Sequence, residues 1–323
     1  MKVLEYSENT KIPELKRYAA LGVFDGVHRG HQKLIKSTVD KAKIEKGISI
    51  VITFEPHPDK VIVPENNIFL LTSLKEKINL IENLQVDTLL ILKFTKEISR
   101  MSPEDFVSKI LVHSLKITEV FVGFNYKFGF QGRGDAESLR NYGKIYNFKT
   151  NIIPPEIIDQ TIVSSTKIKE YISQGEIEKA TKFLGHRLRL SGKVVPGKGR
   201  GRGLLHFPTA NIEVPAEKII PANGVYLVEL TLEDKKYYGL MNIGIRPTFQ
   251  EQSRTIEIHI LEFNQNIYDK KLNIEILEKI RGEKCFGHPD LLKKQIEEDI
   301  SLARKIISKK DNLTSKLANW LTS

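Results

Sequence analysis

The sequence predicts two domains of different class: an α/β domain built on a doubly wound parallel sheet, then an antiparallel β-barrel carrying a C-terminal helix. Three observations predict this. Up to about residue 185, β-branched runs alternate with helical stretches. Beyond it, strand follows strand with only Gly/Pro/Asn/Asp turns between them. The 323 residues suffice for two cores of ordinary size.

In the first half the expected strands are Ala19–Phe24, Ser49–Phe54, Thr88–Leu92, Glu119–Gly123 and Lys149–Ile153. Helical patterns begin near His31, Leu74, Pro103 and Asp135. Ligands of such sheets bind at the carboxyl ends of the strands. Two short helices follow, Thr166–Ser173 and Ile177–Leu184, separated by Gly175 and closed by Gly185 as a C-cap. The barrel strands are Leu188–Val195, Gly224–Leu230, Lys236–Ile243, Thr255–Phe263 and Lys271–Ile276. A helix over Pro289–Lys309 keeps Leu292, Ile296, Ile300, Ala303 and Ile307 on one face, which predicts docking on the barrel. The domains are therefore expected at 1–186 and 187–323.

Composition excludes several classes. A single cysteine, Cys285, rules out an internal disulfide framework and a cysteine-based zinc or iron–sulfur centre. The segment MKVLEYSENTKIPE has no apolar core of signal-peptide length, and no apolar run approaches a membrane span. The expectation is a cytoplasmic protein without a membrane partner. Fifty Lys+Arg against 40 Asp+Glu leave a charge of +10, suited to nucleic acid or to phosphorylated small molecules. The sequence leaves a monomer and a homo-oligomer both open.

The first polar constellation is Gly22-Val-Phe-Asp-Gly-Val-His-Arg-Gly-His31, between a strand and a helix. Gly26 and Gly30 let the backbone turn tightly, and His28 and His31 stand at a helix entrance whose N–H groups favour phosphate. A zinc site on the histidine pair lacks further ligands at the usual spacing.

The second is Gly197-Lys-Gly-Arg-Gly-Arg-Gly203, followed by Pro208-Thr-Ala-Asn211. Glycines alternating with Lys198, Arg200 and Arg202 suit a polyphosphate. The same run is the chain's best candidate for RNA, but it is short and lacks the repeats and interleaved aromatics of RNA-binding tails. Gly192 to Lys198 satisfies G-x4-G-K, yet Gly199 is neither Ser nor Thr and no helix follows, which excludes a P-loop. Thr209 and Asn211 offer hard oxygens that, with the phosphates of a ligand, suit a Mg²⁺ shell; they fit equally a turn that starts a strand.

The first string resembles the HxGH signature of class I nucleotidylyltransferases at His28, Arg29, Gly30 and His31. The wider GVFDGVHRGHQ is similar to the adenylyltransferase half of the bacterial bifunctional riboflavin kinase/FAD synthetase family, and the resemblance covers roughly residues 18–308 in order. It implies ATP contacts at Gly22, Phe24, Asp25 and Gly30, with His28 and His31 as the catalytic pair. It places flavin contacts at Phe54 and His57 in TFEPHP and at Asn125 in VGFNYKFG. VSSTKIK resembles the family's second triphosphate signature through Ser165, Thr166 and Lys169, with lysine where the family has arginine, so a bidentate fork is absent.

In the second half the resemblance implies that Gly197, Lys198 and Arg202 meet ATP, that Thr209 and Asn211 hold Mg²⁺, and that Arg246 and Thr248 in NIGIRPTF meet flavin. It makes Glu257 the catalytic base; from alternation with Ile256 and Ile258 alone, Glu257 reads as a solvent-facing strand carboxylate. His206 before Phe207 makes the loop one residue longer than the family's. The implied function is phosphorylation of riboflavin by ATP to FMN, then transfer of AMP from a second ATP to give FAD and pyrophosphate. A nucleotidylyltransferase for another phosphorylated acceptor and a basic RNA-binding protein are the competing readings.

Overall fold

Apolar residues alternate sides along the central strands of the first half, and both sides are buried. In the computed structural model, β1 (Lys2–Glu5), β2 (Arg17–Leu21), α1 (Arg29–Ile44), β3 (Ile48–Glu55), α2 (Pro58–Ile62), α3 (Leu74–Glu82), β4 (Thr88–Lys93) and α4 (Lys96–Arg100) come first. A turn of α5 (Pro103–Asp105) runs into a π-helix over Phe106–Ser114, then β5 (Glu119–Gly123), β6 (Lys127–Phe128), β7 (Gly134–Asp135), α6 (Ala136–Tyr146) and β8 (Lys149–Ile153). The structure describes all residues except 9, 66, 198–206, 248–251 and 322–323, and the backbone alone at 246, 247, 252, 253 and 311–321.

The main sheet has the order β1-β4-β3-β2-β5-β8, all parallel. Ala19, Leu21, Ile50, Ile52, Leu90 and Val120 bury on one face with Phe106, Ile110 and Leu139. Tyr18, Ala20, Val51, Leu89 and Phe121 bury on the other with Leu34, Ile35 and Val39 of α1 and Ile81 of α3. Helices on both faces make the sheet doubly wound, as the near-continuous apolar strands demand.

Boundaries on both sides of the 22–31 loop shift from expectation, and the strand Gln252–Ile260 starts and ends three residues before the expected Thr255–Phe263. Strand β2 ends at Leu21 instead of Phe24, because Phe24 enters the left-handed region at φ 55° and turns the chain out of the sheet. Helix α1 starts at Arg29, two residues before His31, because His28 serves as its cap. The sequence reading also passed over β1, whose exposed parallel pairing with β4 leaves little apolar pattern.

A hairpin of β9 (Ile157–Ile158) and β10 (Thr161–Ile162) precedes α7 (Ser165–Gln174) and α8 (Ile177–Leu184). Gly175 and Gly185 end these helices at φ 76° and 77°. By contacts the chain divides into two units, Met1–Ile168 with Phe183–Gly185, and Lys169–Lys182 with His186–Ser323. Residues 169–182 join the second unit through bonds such as Ala222 N–H to the Ile172 carbonyl, 3.2 Å.

The second unit contains β11 (Leu188–Val195), β12 (Ala210–Glu213), β13 (Gly224–Leu232), β14 (Lys235–Pro247), β15 (Gln252–Ile260), β16 (Lys271–Arg281) and α9 (Pro289–Leu321). The strands close an antiparallel barrel, β11-β12-β15-β14-β13-β16. Alternation sends Leu188, Leu190, Val194, Ile256, Ile258, Leu272, Ile274 and Ile276 inward, all buried. Helix α9 lays Ala303, Ile300 and Ile307 on Val225, Leu227, Leu240 and Leu277 of the barrel, the docking that its apolar face predicts. The short β12 is the strand start that residues 209–211 allow as a turn; its four residues carry too little periodicity to bound it.

Candidate active sites

In the first unit the loop from Gly22 to His31 lies at the carboxyl end of β2, where a parallel sheet binds ligands. Every turn of it is tied. Lys77 Nζ donates to the Val23 carbonyl at 2.9 Å and Thr53 Oγ1 to the same oxygen at 3.0 Å. Asp25 Oδ1 accepts the N–H groups of Leu71 and Thr72, at 2.9 and 3.2 Å. Gly26 N–H donates to Thr72 Oγ1 at 3.0 Å. Gln32 Nε2 donates to the carbonyls of Val27 and Leu184, both at 2.8 Å. Gly26 has φ 82°, and a Cβ there would stand 2.6 Å from Leu71 Cδ1, so glycine is required on two counts. Val27 holds φ 39°, an outlier for a β-branched residue that this network over-determines.

The two histidines come together at the start of α1. Their rings stack, centroids 3.5 Å apart and planes 15° from parallel, with Phe24 edge-on to His31 at 5.2 Å. His28 Nδ1 accepts the His31 N–H at 3.3 Å, which puts the proton of the neutral ring on Nε2. His31 Nδ1 is buried with no hydrogen-bond partner. Burial first, then His28 and Lys77, hold the His31 imidazolium well below its ordinary pKa, so the ring is neutral at pH 7. Gly30 lies beside the pair; a Cβ on it would come within 3.3 Å of the His28 ring.

Ser165, at the start of α7, reaches the same loop, its Oγ donating to the Asp25 carbonyl at 2.9 Å. Ser164 supplies the cap, its Oγ accepting the Lys167 N–H at 3.2 Å. Thr166 is exposed in the first turn, and Lys169 lies one turn on from Ser165 along α7.

Of the flavin candidates, Phe54 is a core residue of β3, with Phe94 edge-on at 5.5 Å and Phe106 at 6.5 Å. His57 caps α2, its Nδ1 accepting the Asp59 N–H at 3.2 Å. Asn125 is exposed in the turn after β5, beside the exposed Phe124.

Lys77 is the residue the sequence reading missed. It is 4% exposed, and burial lowers its pKa against the opposing pull of Glu55 and Asp25. The available signal was a lysine on the apolar face of α3, in phase with Leu80 and Ile81. A space of about 590 Å³ opens at the opposite, amino ends of β2, β5 and β8, where Lys41 and Lys144 lie in the last turns of α1 and α6 and offset the helix dipoles.

In the second unit, β12 pairs with β15 so that Asn211 faces Glu257 across the ladder. Thr209 Oγ1 donates to Glu257 Oε2 at 3.3 Å. A Cβ on Gly197 would collide with the Asn211 amide, so a larger residue there would push that side chain aside. Two oxygen-bearing side chains of one short segment thus meet a carboxylate distant in sequence on the barrel wall. Lys198, Arg202, His206 and Thr248 lie outside the described residues, as does the Arg246 side chain.

Among the described residues no three His, Cys, Asp or Glu side chains cluster as a metal cage. No helix of the described residues is long and apolar enough to cross a membrane.

Comparison with known proteins matches residues 11–167 to the FAD synthetase family and residues 184–307 to the riboflavin kinase family. A bifunctional riboflavin kinase/FMN adenylyltransferase of Buchnera aphidicola (subsp. Schizaphis graminum) is 35% identical over 310 residues, 94% of this chain and 98% of that one. The protein of the same description from Listeria monocytogenes is 35% identical, covering 92% of this chain and 94% of its own. The Escherichia coli K12 protein is 31% identical, with 94% and 97% covered. A solved structure from Streptococcus pneumoniae, described as a macrolide-efflux protein, superposes with a TM-score of 0.86 at 28% identity over 94% of this chain and 99% of that one. That likeness extends to the fold of both halves.

Proposed function

Since the chain belongs to the bifunctional riboflavin kinase/FMN adenylyltransferase family, we propose which of its residues carry each of two reactions. The enzyme phosphorylates riboflavin with ATP to FMN and adenylylates FMN with ATP to FAD. Residues 1–186 form the adenylyltransferase domain and 187–323 the kinase domain. The observation that carries the assignment is that each unit holds its own polar cluster of the required chemistry: stacked histidines at a helix entrance in one, Thr209 against Glu257 in the other.

In the kinase site Glu257 accepts the proton of the riboflavin 5′-hydroxyl as that oxygen attacks the γ-phosphorus of ATP, and ADP leaves. Thr209 and Asn211 hold Mg²⁺, which neutralises charge on the ATP phosphates when bound. Gly197 lets the backbone approach, and Lys198 and Arg202 supply charge to the polyphosphate. Arg246 and Thr248 meet the flavin.

In the adenylyltransferase site an FMN phosphate oxygen attacks the α-phosphorus of ATP, and pyrophosphate leaves. His28 and His31 donate to the phosphates as charge develops, helped by the amino end of α1. Gly22, Phe24, Asp25 and Gly30 shape the ATP loop, and Ser165, Thr166 and Lys169 bring the amino end of α7 to the triphosphate. His57 and Asn125 take the flavin, with Phe54 supporting from the core. A single cysteine and a need for ATP fit the reducing, ATP-rich cytoplasm.

The test is to incubate purified protein with riboflavin, ATP and Mg²⁺ and to resolve the flavins by chromatography. FMN and FAD are the expected products. Riboflavin recovered unchanged under varied metal and reductant would overturn the reading.

A further inference from the structure

The β12–β15 ladder pairs Asn211 with Glu257 and Ala210 with Ile258, and goes no further. Pro208 lies just ahead of this ladder: it has no N–H to give an antiparallel partner, and its carbonyl takes a donor from elsewhere. His259 supplies it. Its Nδ1 lies 2.9 Å from the Pro208 carbonyl oxygen, and since a carbonyl only accepts, Nδ1 carries the proton. The Phe207 ring packs edge-on against the same imidazole, centroids 5.5 Å apart at 85°. One side chain therefore holds both residues that precede Thr209.

We propose that His259 is a positioning residue of the kinase site, fixing the Pro208–Thr209 peptide so that the Thr209 hydroxyl and Asn211 face Glu257. His259 and Glu257 lie two residues apart on one face of β15, alternating with the buried Ile256, Ile258 and Ile260. One grips the backbone before Thr209; the other receives its hydroxyl at 3.3 Å. With the imidazole bond gone, the Pro208 carbonyl is released and the peptide plane that carries Thr209 turns freely. The inference rests on the reading of Thr209, Asn211 and Glu257 as the kinase site.

The test uses the full-length enzyme with His259→Phe, His259→Asn and Glu257→Gln. Phenylalanine keeps the contact with Phe207 and removes the donor; asparagine restores an N–H near the position of Nδ1. Riboflavin phosphorylation is measured against Mg²⁺ concentration, alongside FMN adenylylation and thermal unfolding. The expected result is a loss in kinase kcat of about 10- to 100-fold for His259→Phe, with a raised half-saturating Mg²⁺. FMN adenylylation stays at the wild-type rate, and His259→Asn recovers most of the kinase loss. Wild-type kinase kinetics in His259→Phe overturn the proposal. So does a loss that asparagine does not restore and that follows unfolding of the barrel. Wild-type phosphorylation by Glu257→Gln would instead bring down the site reading on which the proposal rests.

Discussion

The imidazoles of His28 and His31 lie face to face, 3.5 Å between centroids, with His28 also accepting the His31 backbone N–H. Two stacked imidazolium rings would repel, and burial holds the His31 ring neutral. Replacing His31 by alanine removes one of them. The expected outcome is a fall of about 10²- to 10³-fold in FMN adenylylation with riboflavin phosphorylation intact, read by chromatography of the flavins. Loss of both reactions in a folded protein would contradict separate sites.

The complementary variant is Glu257→Gln. Without a proton acceptor, FMN formation from riboflavin should fall by about 10²- to 10⁴-fold, while supplied FMN is still converted to FAD.

The depressed His31 pKa has a consequence for stability. Below its ordinary value of 6.5 the unfolded chain takes up a proton at this ring that the folded protein refuses. Stability therefore declines as pH falls below that point, by at most about 1.4 kcal/mol per pH unit from this group. His31→Gln should flatten the acid limb of the thermal-stability profile between about pH 6.5 and 5; an unchanged limb would show that His31 titrates normally.

Asp25 holds the loop of residues 22–31 through the buried N–H groups of Leu71 and Thr72. Asp25→Ala removes the acceptor that both share, at a cost on the order of 1–3 kcal/mol. Asp25→Asn keeps a carbonyl acceptor and should lose less, as denaturant titration of the two variants would report.

Arg281 on β16 donates from Nε to both carboxylate oxygens of Asp299 on α9, at 3.0 and 2.9 Å, and Asp299 is 4% exposed. Asp299→Ala strands a half-buried guanidinium and should destabilise the barrel by about 3–5 kcal/mol. The double change Arg281→Met, Asp299→Leu should be close to neutral in the same unfolding measurement, because it removes both charges together.

Much of the fold was legible because its signals are local. The strands at Glu119–Gly123, Lys149–Ile153 and Leu188–Val195 and the helix at Ile177–Leu184 match the expected bounds residue for residue. Ser73 caps α3 in a reciprocal box with Glu76, as its position before an apolar run suggests. Among the elements that escaped are β1 and the two-residue strands β6, β7, β9 and β10, which a neighbouring strand pairs but no apolar period marks.

The sites divide along the same line. The sequence by itself determined the two classes of domain, the glycine-histidine string at a strand-to-helix turn and the oxygen-bearing Pro208–Asn211 segment, because each is written in residues close along the chain. Only the tertiary structure decided that Glu257 meets Thr209 across 48 positions, that Lys77 reaches back 54 to the Val23 carbonyl, and that His259 holds the Pro208 carbonyl just ahead of the ladder. Those contacts follow from strand register and helix packing, which sum many weak apolar contacts over the whole core and are encoded in no short stretch.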